Sequence, residues 1–218
     1  MPHGLDEAMD FIRSRTAVEP VPLVPEVLLH QATEMTELWR ATAADLSGWD
    51  DSPFWAFPWA GGQALARHVL DHPELVAGRR VVDFGTGSGL VAIAAALAGA
   101  SAVTAFDVDP FCEAAVRLNA SRNGVRVAFE PRSPLDGPVD ADVVLAGDVF
   151  YERELSRRFL SWSRELAGRG VLVLAGDPGR LYSPQEGAAD RGTYEVPTST
   201  AIEDRVLMRT WVLQVLPA

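Results

Sequence analysis

The chain has 218 residues, of which 48% are apolar; this is enough for one sizeable hydrophobic core and is typical of one domain. All 19 basic residues are arginine, and the absence of lysine excludes lysine Schiff-base chemistry and a P-loop lysine. The formal net charge of −11 argues against a nucleic-acid partner, because phosphate backbones are held by clustered cations.

Cysteine and histidine are scarce. Cys112 is the single cysteine beside four histidines, which excludes an internal disulfide and leaves little for a structural zinc site. His68 and His72 have a spacing that can bind metal, but no third ligand lies near them, so we expect no metal. The amino terminus lacks a signal-peptide core, and no stretch reaches the roughly 18 apolar residues of a membrane span. We therefore expect a cytoplasmic protein without a membrane partner.

Residues 1–60 predict an amino-terminal extension that is mainly helical. A short amphipathic helix comes first, a proline-punctuated stretch follows near residues 20–25, and a second helical pattern covers about 33–46. The extension ends in an aromatic loop at 53–59 (Pro-Phe-Trp-Ala-Phe-Pro-Trp). We expect this loop to form a lid or a pocket wall.

From about residue 80 onward, short apolar runs alternate with helical patterns. Strands are predicted at 80–84, 102–106, 126–130, 141–146 and 171–175, with helices at 90–98, from 110 to the Asn-Gly stop at 123–124, and around 155–166. Such alternation implies a parallel sheet with helices on both faces. Two final apolar runs, 192–200 and 206–216, predict an antiparallel hairpin added to that sheet. The expected fold is a doubly wound α/β unit over residues 61–218, with a mostly parallel, seven-stranded sheet.

A glycine-rich loop separates the first of these strands from its helix. Residues 83–89 read Asp-Phe-Gly-Thr-Gly-Ser-Gly, and glycine lets a ligand approach the backbone closely. A dinucleotide fingerprint would need a glycine at position 90, which is leucine. The pattern favours S-adenosylmethionine (AdoMet), whose cationic amino group and sulfonium favour a carboxylate such as Asp83. The loop residues predicted to contact it are Gly85, Thr86, Gly87 and Gly89.

A second acid supports a nucleoside ligand. Asp107 ends the second strand, 22 residues after Gly85, close to the spacing of about 20 residues seen for the ribose-binding acid of nucleotide folds. Val108, the next residue, is predicted to contact the cofactor as well. Asp109 is the alternative ribose ligand, but its place before Pro110 suits a helix N-cap better. A purely structural glycine turn and an NAD site are the other interpretations.

These residues resemble the class I AdoMet-dependent methyltransferases, and more narrowly the electron transfer flavoprotein β-subunit lysine methyltransferase family. The resemblance runs from about residue 20 to the end of the chain. Besides the glycine loop, it rests on the segments 53–56 (Pro-Phe-Trp-Ala), 59–65 (Trp-Ala-Gly-Gly-Gln-Ala-Leu), 92–95 (Ala-Ile-Ala-Ala), 147–151 (Gly-Asp-Val-Phe-Tyr), 176–180 (Gly-Asp-Pro-Gly-Arg) and 197–200 (Pro-Thr-Ser-Thr).

The resemblance implies N-methylation of lysine on a protein substrate, with the electron transfer flavoprotein β subunit as the suspected target. AdoMet would be converted to S-adenosylhomocysteine. Asp148 and Tyr151 are implied as the catalytic residues of the amine pocket, with Gly147 beside them and Trp59 against the cofactor. Many class I enzymes offer an Asp or Asn to the adenine; this chain has Ser133 there, and we expect that residue or the backbone near it to bind the adenine.

Several alternatives stay open from the sequence. The same scaffold could methylate a ribosomal protein or a small amine; a different chemistry would make the chain an NAD-dependent oxidoreductase or a binding module without catalysis. Asp148 could merely cap the helix that follows it, and Tyr151 could be ordinary packing. Only the resemblance suggests that Arg180 touches the substrate, because its segment is by composition a turn. The oligomeric state is left open.

Overall fold

The central element of the fold is a mixed sheet of seven strands, seen in a computed structural model that describes residues 4–32, 53–198, 203 and 205–218. Its strands are β3 (Arg80–Phe84), β4 (Ala102–Phe106), β5 (Ala128–Glu130), β6 (Val143–Gly147), β7 (Leu172–Asp177), β8 (Ala188–Pro197) and β9 (Leu207–Val215). The α-helices are α1 (Leu5–Arg15), α2 (Ala60–Asp71), α3 (Leu90–Leu97), α4 (Pro110–Arg122) and α5 (Arg153–Gly168). A separate two-stranded sheet consists of β1 (Ala17–Val21) and β2 (Val24–Gln31).

The order of the strands confirms the predicted fold class. They lie in the order β5-β4-β3-β6-β7-β9-β8, parallel from β5 to β7 and antiparallel where β9 meets β7 and β8. The chain builds one side of the sheet from β3 through β5, then the other side from β6 onward. The order in which the chain adds strands therefore reverses between the parallel strands β3 and β6. Open α/β sheets bind ligands in the crevice at such a reversal.

The central strand β6 is covered on both faces, as its continuous apolar run predicts. Val143 and Leu145 belong to the core cluster that includes residues of α2 and α3. Val144 and Ala146 belong to the cluster formed with α5. Because successive side chains of a strand point to opposite faces, α2 and α3 lie on one face of the sheet and α5 lies on the other.

The amino-terminal extension is only partly helical. Helix α1 confirms the predicted amphipathic helix and packs against α4, but the proline-punctuated stretch forms the antiparallel β1–β2 hairpin. Asn119 of α4 accepts a hydrogen bond from the backbone N–H of His30, at 2.8 Å. Asn123, one turn later, bonds both backbone groups of Leu28. The two carboxamides thus bond the backbone groups on the edge of β2 that faces away from β1. Sequence periodicity could not reveal these contacts. The second predicted helix, 33–46, lies outside the described residues.

The other predicted elements differ from the observed ones mainly at their ends. The third predicted strand, 126–130, is shorter as β5. The terminal hairpin is confirmed, but its first strand begins at Ala188, before the apolar pattern starts at 192. The polar residues at its beginning are held by pairing with β9, with a register shift between Asp190 and Gly192. Residues 199 and 200 of the predicted strand lie outside the described part of the chain.

A buried glutamine joins the extension to the main sheet. Gln63 of α2 is 1% exposed; its Oε1 accepts a hydrogen bond from the backbone N–H of Leu23 at 3.1 Å. Its Nε2 donates hydrogen bonds to two carbonyl oxygens, that of Pro58 at 2.7 Å and that of Pro197 at 3.4 Å. One side chain thus links the β1–β2 turn, the aromatic loop and β8.

Helix α2 approaches the carboxyl ends of β6 and β7 at a distance that only glycine allows. A Cβ on Gly61 would lie 2.3 Å from the carbonyl oxygen of Gly176, and a Cβ on Gly176 would lie 2.0 Å from that of Gly61. A Cβ on Gly147 would lie 2.9 Å from the Cα of Gly62. The amino end of α2 is therefore held against the carboxyl edge of the sheet.

We expect Gly61→Ala to lower the free energy of unfolding by about 1–3 kcal/mol, because the added methyl group meets backbone atoms that cannot move aside. Gly62→Ala is the matched control, since the nearest atom to its added Cβ is Leu90 Cδ2 at 3.8 Å and alanine favours a helix over glycine. Urea denaturation measures both variants. Equal stability of the two would contradict the close approach.

Candidate active site

A cavity of about 570 Å³ opens at the carboxyl ends of β3, β4 and β6, within the range of small-molecule sites. The glycine loop, the residues after β4 and β6, and the aromatic loop line it. All but one of the predicted site residues line this cavity: Trp59, Asp83, Gly85, Thr86, Gly87, Asp107, Val108, Ser133, Gly147, Asp148 and Tyr151.

Gly89 is the exception, and the structure does not support its predicted contact with the cofactor. Gly89 has a φ of 84°, as an αL residue before α3, and a Cβ there would lie 3.2 Å from Val116 Cγ2 of α4. Its glycine is needed for close packing behind the loop. Gly85 and Gly87 also have positive φ angles, of 61° and 52°, but they do line the cavity.

Asp83 lies beneath the glycine loop and shapes it. The residue is 1% exposed, and its Oδ2 accepts hydrogen bonds from the Thr86 hydroxyl at 2.6 Å and the Ala92 N–H at 3.1 Å. Burial raises the pKa of Asp83 to about 7, although both hydrogen bonds act in the opposite direction. Asp83 therefore organises the loop as well as contributing a carboxyl group to the cavity wall, a second role that the motif did not reveal.

Asp107 ties the loop after β4 to the glycine loop. Its Oδ2 accepts a hydrogen bond from the Gly87 N–H at 2.9 Å, and its Oδ1 accepts one from the Asp109 N–H at 3.0 Å. Asp109 itself accepts from the Phe111 N–H at 2.8 Å and caps α4, which confirms its predicted N-cap role. We propose Asp107, and not the helix-capping Asp109, as the acid of this pair that binds the ribose.

The remaining predicted cofactor residues complete the rim of the cavity. Val108 is 73% exposed and lies at its edge. The Ser133 hydroxyl oxygen accepts a hydrogen bond from the Leu135 N–H at 3.2 Å, and its own hydrogen can still be donated to a ligand. The indole N–H of Trp59 donates to the carbonyl of Phe54 at 2.9 Å.

The aromatic loop is core on one side and cavity wall on the other. Trp55 is 1% exposed and stacks on Phe111 of α4, with ring centroids 5.6 Å apart. Phe54 is exposed, and its ring centroid lies 5.5 Å from that of Trp59 and 6.2 Å from that of Tyr151. The buried ring anchors the loop, so that the outer rings can form a wall beside Tyr151.

Asp148 is held from two sides at the end of β6. Its Oδ2 accepts hydrogen bonds from the backbone N–H groups of Gly61 and, at 3.1 Å, Gly62. Its Oδ1 accepts from Nη2 of Arg180 and, at 2.8 Å, from its Nε. Among the described residues it is the one non-glycine residue with a positive φ, of 53°. Burial raises the pKa of Asp148 to about 6, while Arg180 acts to lower it.

These contacts correct the sequence interpretation of Asp148 as a cap of the helix that follows it. It caps α2, which precedes it in the chain, and not the helix that follows. That helix, α5, is capped by Glu152, whose carboxylate accepts from the N–H groups of Glu154 and Leu155 at 2.8 Å each. The four hydrogen bonds to Asp148 match the acceptor capacity of a carboxylate, so the residue gives the cavity a fixed negative wall and does not offer a vacant acceptor to an amine.

Arg180 and Glu203 extend this wall. Arg180 follows a turn in which Asp177 accepts from the N–H groups of Gly179 and Arg180 at 3.1 Å each and from the Ser183 hydroxyl. Its guanidinium bonds Glu203 at 3.0 and 2.7 Å and lies 6.0 Å from the centre of the Trp59 ring system. Sequence reasoning missed Glu203, because no motif surrounds it.

The histidine pair has protein partners of its own. The rings of His68 and His72 lie 4.7 Å apart, and Nδ1 of His68 lies 2.9 Å from the Tyr194 hydroxyl. Within the described ranges, no group of three His, Cys, Asp or Glu side chains is arranged to hold a metal ion. Nor is any helix in the described part of the chain long and apolar enough to cross a membrane.

Comparison with known proteins identifies the family. The model of the ribosomal protein L11 methyltransferase (PrmA) family matches residues 64–149. The electron transfer flavoprotein beta subunit lysine methyltransferase of Xenopus laevis is 40% identical over 175 residues, which are 78% of this chain and 70% of that protein. The chain belongs to this methyltransferase family. The member from Homo sapiens is 39% identical over 179 residues, 80% of this chain and 67% of its own length.

Solved structures confirm the methyltransferase fold. The crystal structure of magnesium protoporphyrin IX methyltransferase from Synechocystis PCC 6803, with bound SAM, superposes with a TM-score of 0.52 at 17% identity. The match covers 84% of this chain and 92% of the other. AdoMet is the cofactor of the class I methyltransferases to which this family belongs, and the NAD-dependent alternative is therefore excluded.

The residues present fit AdoMet. A Cβ on Gly87 would lie 3.8 Å from Cα of Trp55 and 3.9 Å from the carbonyl oxygen of Phe54, so a side chain there would narrow the gap between the glycine and aromatic loops. Asp83 and Asp107 supply carboxyl groups suited to a cationic amino acid and to ribose hydroxyls. We propose these as the residues that hold the cofactor, together with the rim described above.

The raised pKa of Asp83 predicts a pH-dependent stability. The folded chain keeps the proton up to about pH 7, while the unfolded chain loses it near the ordinary value of 3.8, so this group lowers the free energy of unfolding as pH rises between these values. Asp83→Asn keeps an acceptor for Thr86 and Ala92 but removes the titration. The stability of the variant relative to wild type should therefore rise over this range, by up to roughly 4 kcal/mol.

Urea denaturation at about pH 4 and about pH 7 measures this difference. Asp6→Asn, at an exposed carboxylate of α1, controls for the substitution itself. A stability difference for Asp83→Asn that is the same at both pH values would show that Asp83 does not titrate in this way.

Proposed function

We propose that this protein transfers the methyl group of AdoMet to a lysine side chain of a protein, and that this protein is the electron transfer flavoprotein β subunit. The observation that carries the proposal is the cavity itself, where Asp148 and Tyr151 share one wall with the glycine loop. A cofactor bound there has a negative and aromatic surface beside it, which suits a cationic side chain.

The relatives favour this target over ribosomal protein L11. The PrmA model matches only residues 64–149, a region that ends before Tyr151, Arg180 and Glu203. The relative named for the flavoprotein subunit aligns over 175 residues, so its similarity must extend beyond the cofactor-binding half. An alignment over 78% of the chain includes Tyr151 wherever it begins, which supports the flavoprotein subunit as the target.

The chemistry needs a neutral, aligned amine. A lysine with an ordinary pKa of about 10.4 must lose its proton, which costs roughly 4 kcal/mol near neutral pH, and burial next to a cation lowers that cost. When bound, AdoMet supplies an electrophilic methyl group on a positive sulfur. Held by the glycine loop, Asp83 and Asp107, it would transfer that methyl group to the amine nitrogen and remain as S-adenosylhomocysteine, and the methylated amine would release its proton to solvent.

This chain contributes alignment. Proximity and orientation can lower a barrier by roughly 7–11 kcal/mol. Gly147, at the end of β6, and the Tyr151 ring bound the space beside the cofactor wall, and an aromatic face stabilises developing positive charge on the nitrogen. Asp148 and its partners keep this part of the wall in one shape, so no strong general base is required.

We also propose the cytoplasm as the compartment of this reaction. The chain has one cysteine, and Cys112 is buried, with burial raising the pKa of its thiol. A buried, protonated thiol suits a reducing environment.

The substrate proposal predicts that purified enzyme and radiolabelled AdoMet label the electron transfer flavoprotein β subunit of the same cell on lysine. Scintillation counting gives the rate, and peptide mass spectrometry identifies the residue. The enzyme contains no lysine, so lysine label cannot come from the enzyme itself. Ribosomal protein L11 is the comparison substrate; labelling of L11 in place of the flavoprotein subunit would overturn the proposed target.

Asp148→Asn should lower the methylation rate at least about tenfold, or about 1.4 kcal/mol in barrier, while the Kd for AdoMet changes less than about threefold. Asparagine offers one acceptor oxygen, so it cannot serve both the α2 N–H groups and Arg180, and the guanidinium loses a carboxylate partner in the wall. Initial rates and calorimetry measure the two quantities, with Asp6→Asn as the control. Unchanged turnover would remove Asp148 from the mechanism.

A further inference from the structure

A second cavity, of about 370 Å³, adjoins the first, and Arg180 lines both. Glu203, Arg205 and Met208 also line the second cavity, but not the first. The Arg180 side chain is 22% exposed. Its guanidinium therefore lies between the cofactor cavity, which Asp148 also lines, and the neighbouring space lined by Glu203.

Arg180 is shared between two buried carboxylates. The side chain of Glu203 is 5% exposed and that of Asp148 is 11% exposed. Glu203 holds two guanidinium nitrogens, at 3.0 and 2.7 Å, and the bonds to Asp148 use Nε and Nη2. Arg205 forms no ion pair with either acid within the described part of the chain. Two ionised carboxylates and one guanidinium leave this group with one negative charge in excess.

Glu203 is not needed to place Arg180. The Arg180 backbone is already fixed by Asp177, and its guanidinium already has Asp148 and the Trp59 ring as partners. Burying a further carboxylate carries a desolvation cost that an ion pair often fails to recover. A role in the charge of the wall accounts for its position.

We propose that Glu203 is a specificity-determining residue, which compensates Arg180 and so keeps the wall around Asp148 negative toward a cationic lysine side chain. The inference rests on the proposed lysine methylation. Glu203 touches neither substrate nor cofactor in this role and acts through Arg180. Without its carboxylate, Arg180 alone balances Asp148 and the excess negative charge disappears, so an approaching ammonium group is attracted less.

Glu203→Gln tests this role, because glutamine keeps the size and an acceptor oxygen but removes the charge. We expect the KM for the flavoprotein β subunit to rise about tenfold, while kcat changes less than about threefold and the Kd for AdoMet less than about twofold. Glu165→Gln is the matched control: it removes the same charge and an arginine partner, Arg169, on the exposed surface of α5. Glu203→Asp, which keeps the charge, should recover most of the KM.

A double variant separates charge from packing. The double variant Arg180→Gln/Glu203→Gln removes the uncompensated guanidinium and restores one excess negative charge on Asp148, so its KM should be at least about threefold lower than that of Glu203→Gln alone. Unchanged KM in the single variant, or a KM in the double variant as high as in the single variant, would overturn the inference. A loss of thermal stability together with AdoMet affinity would assign Glu203 a structural role and overturn it as well.

A small probe keeps the inference separate from the choice of target. NMR titration with n-butylammonium and with n-butanol, in the presence of S-adenosylhomocysteine, compares a cationic and a neutral mimic of the lysine side chain. Wild type should prefer the cation, and Glu203→Gln should reduce that preference about tenfold. An enzyme that fails to methylate the flavoprotein subunit but shows this loss refutes the proposed target alone. An unchanged preference refutes the role of Glu203.

Discussion

The carboxylate of Asp148 is the interaction on which the rest of the site depends. It joins the amino end of α2 to the carboxyl end of β6. At this place the backbones lie so close together that a Cβ atom on Gly61 or Gly176 would overlap the other segment. The same carboxylate anchors Arg180 from the turn after β7. Three segments that are far apart in the chain are thereby fixed around one cavity. The cavity lies next to the point between β3 and β6 where the strand order reverses.

Buried acids organise both halves of this cavity. Asp83, at the end of β3, accepts hydrogen bonds from the glycine loop and from α3. Asp148, which follows the neighbouring strand β6, accepts them from α2 and Arg180. Burial raises the pKa of each of them. The cavity wall is therefore rich in carboxyl groups, which suits a cationic cofactor and a cationic side chain.

Much of the cofactor half was predictable, because its residues follow one another in the chain. The acid, the glycines and the strand end at Asp107 occupy one β-α-β unit, so local pattern and spacing were enough to predict their assembly. Local pattern says less where partners are remote. It did not reveal that α2 and Arg180 already bond the Asp148 carboxylate, or that Gly89 packs against α4 behind the loop.

The sequence by itself determined the class of fold, the nature of the cofactor and the segments that build its site, since periodicity, glycine spacing and strand-end acids are encoded within a few tens of residues. Tertiary structure decided the amino-terminal hairpin, the α2 cap and the pairing of Arg180 with Glu203. Each depends on groups separated by long stretches of chain, and the hydrogen bonds that join them leave no periodic trace in the amino-acid order.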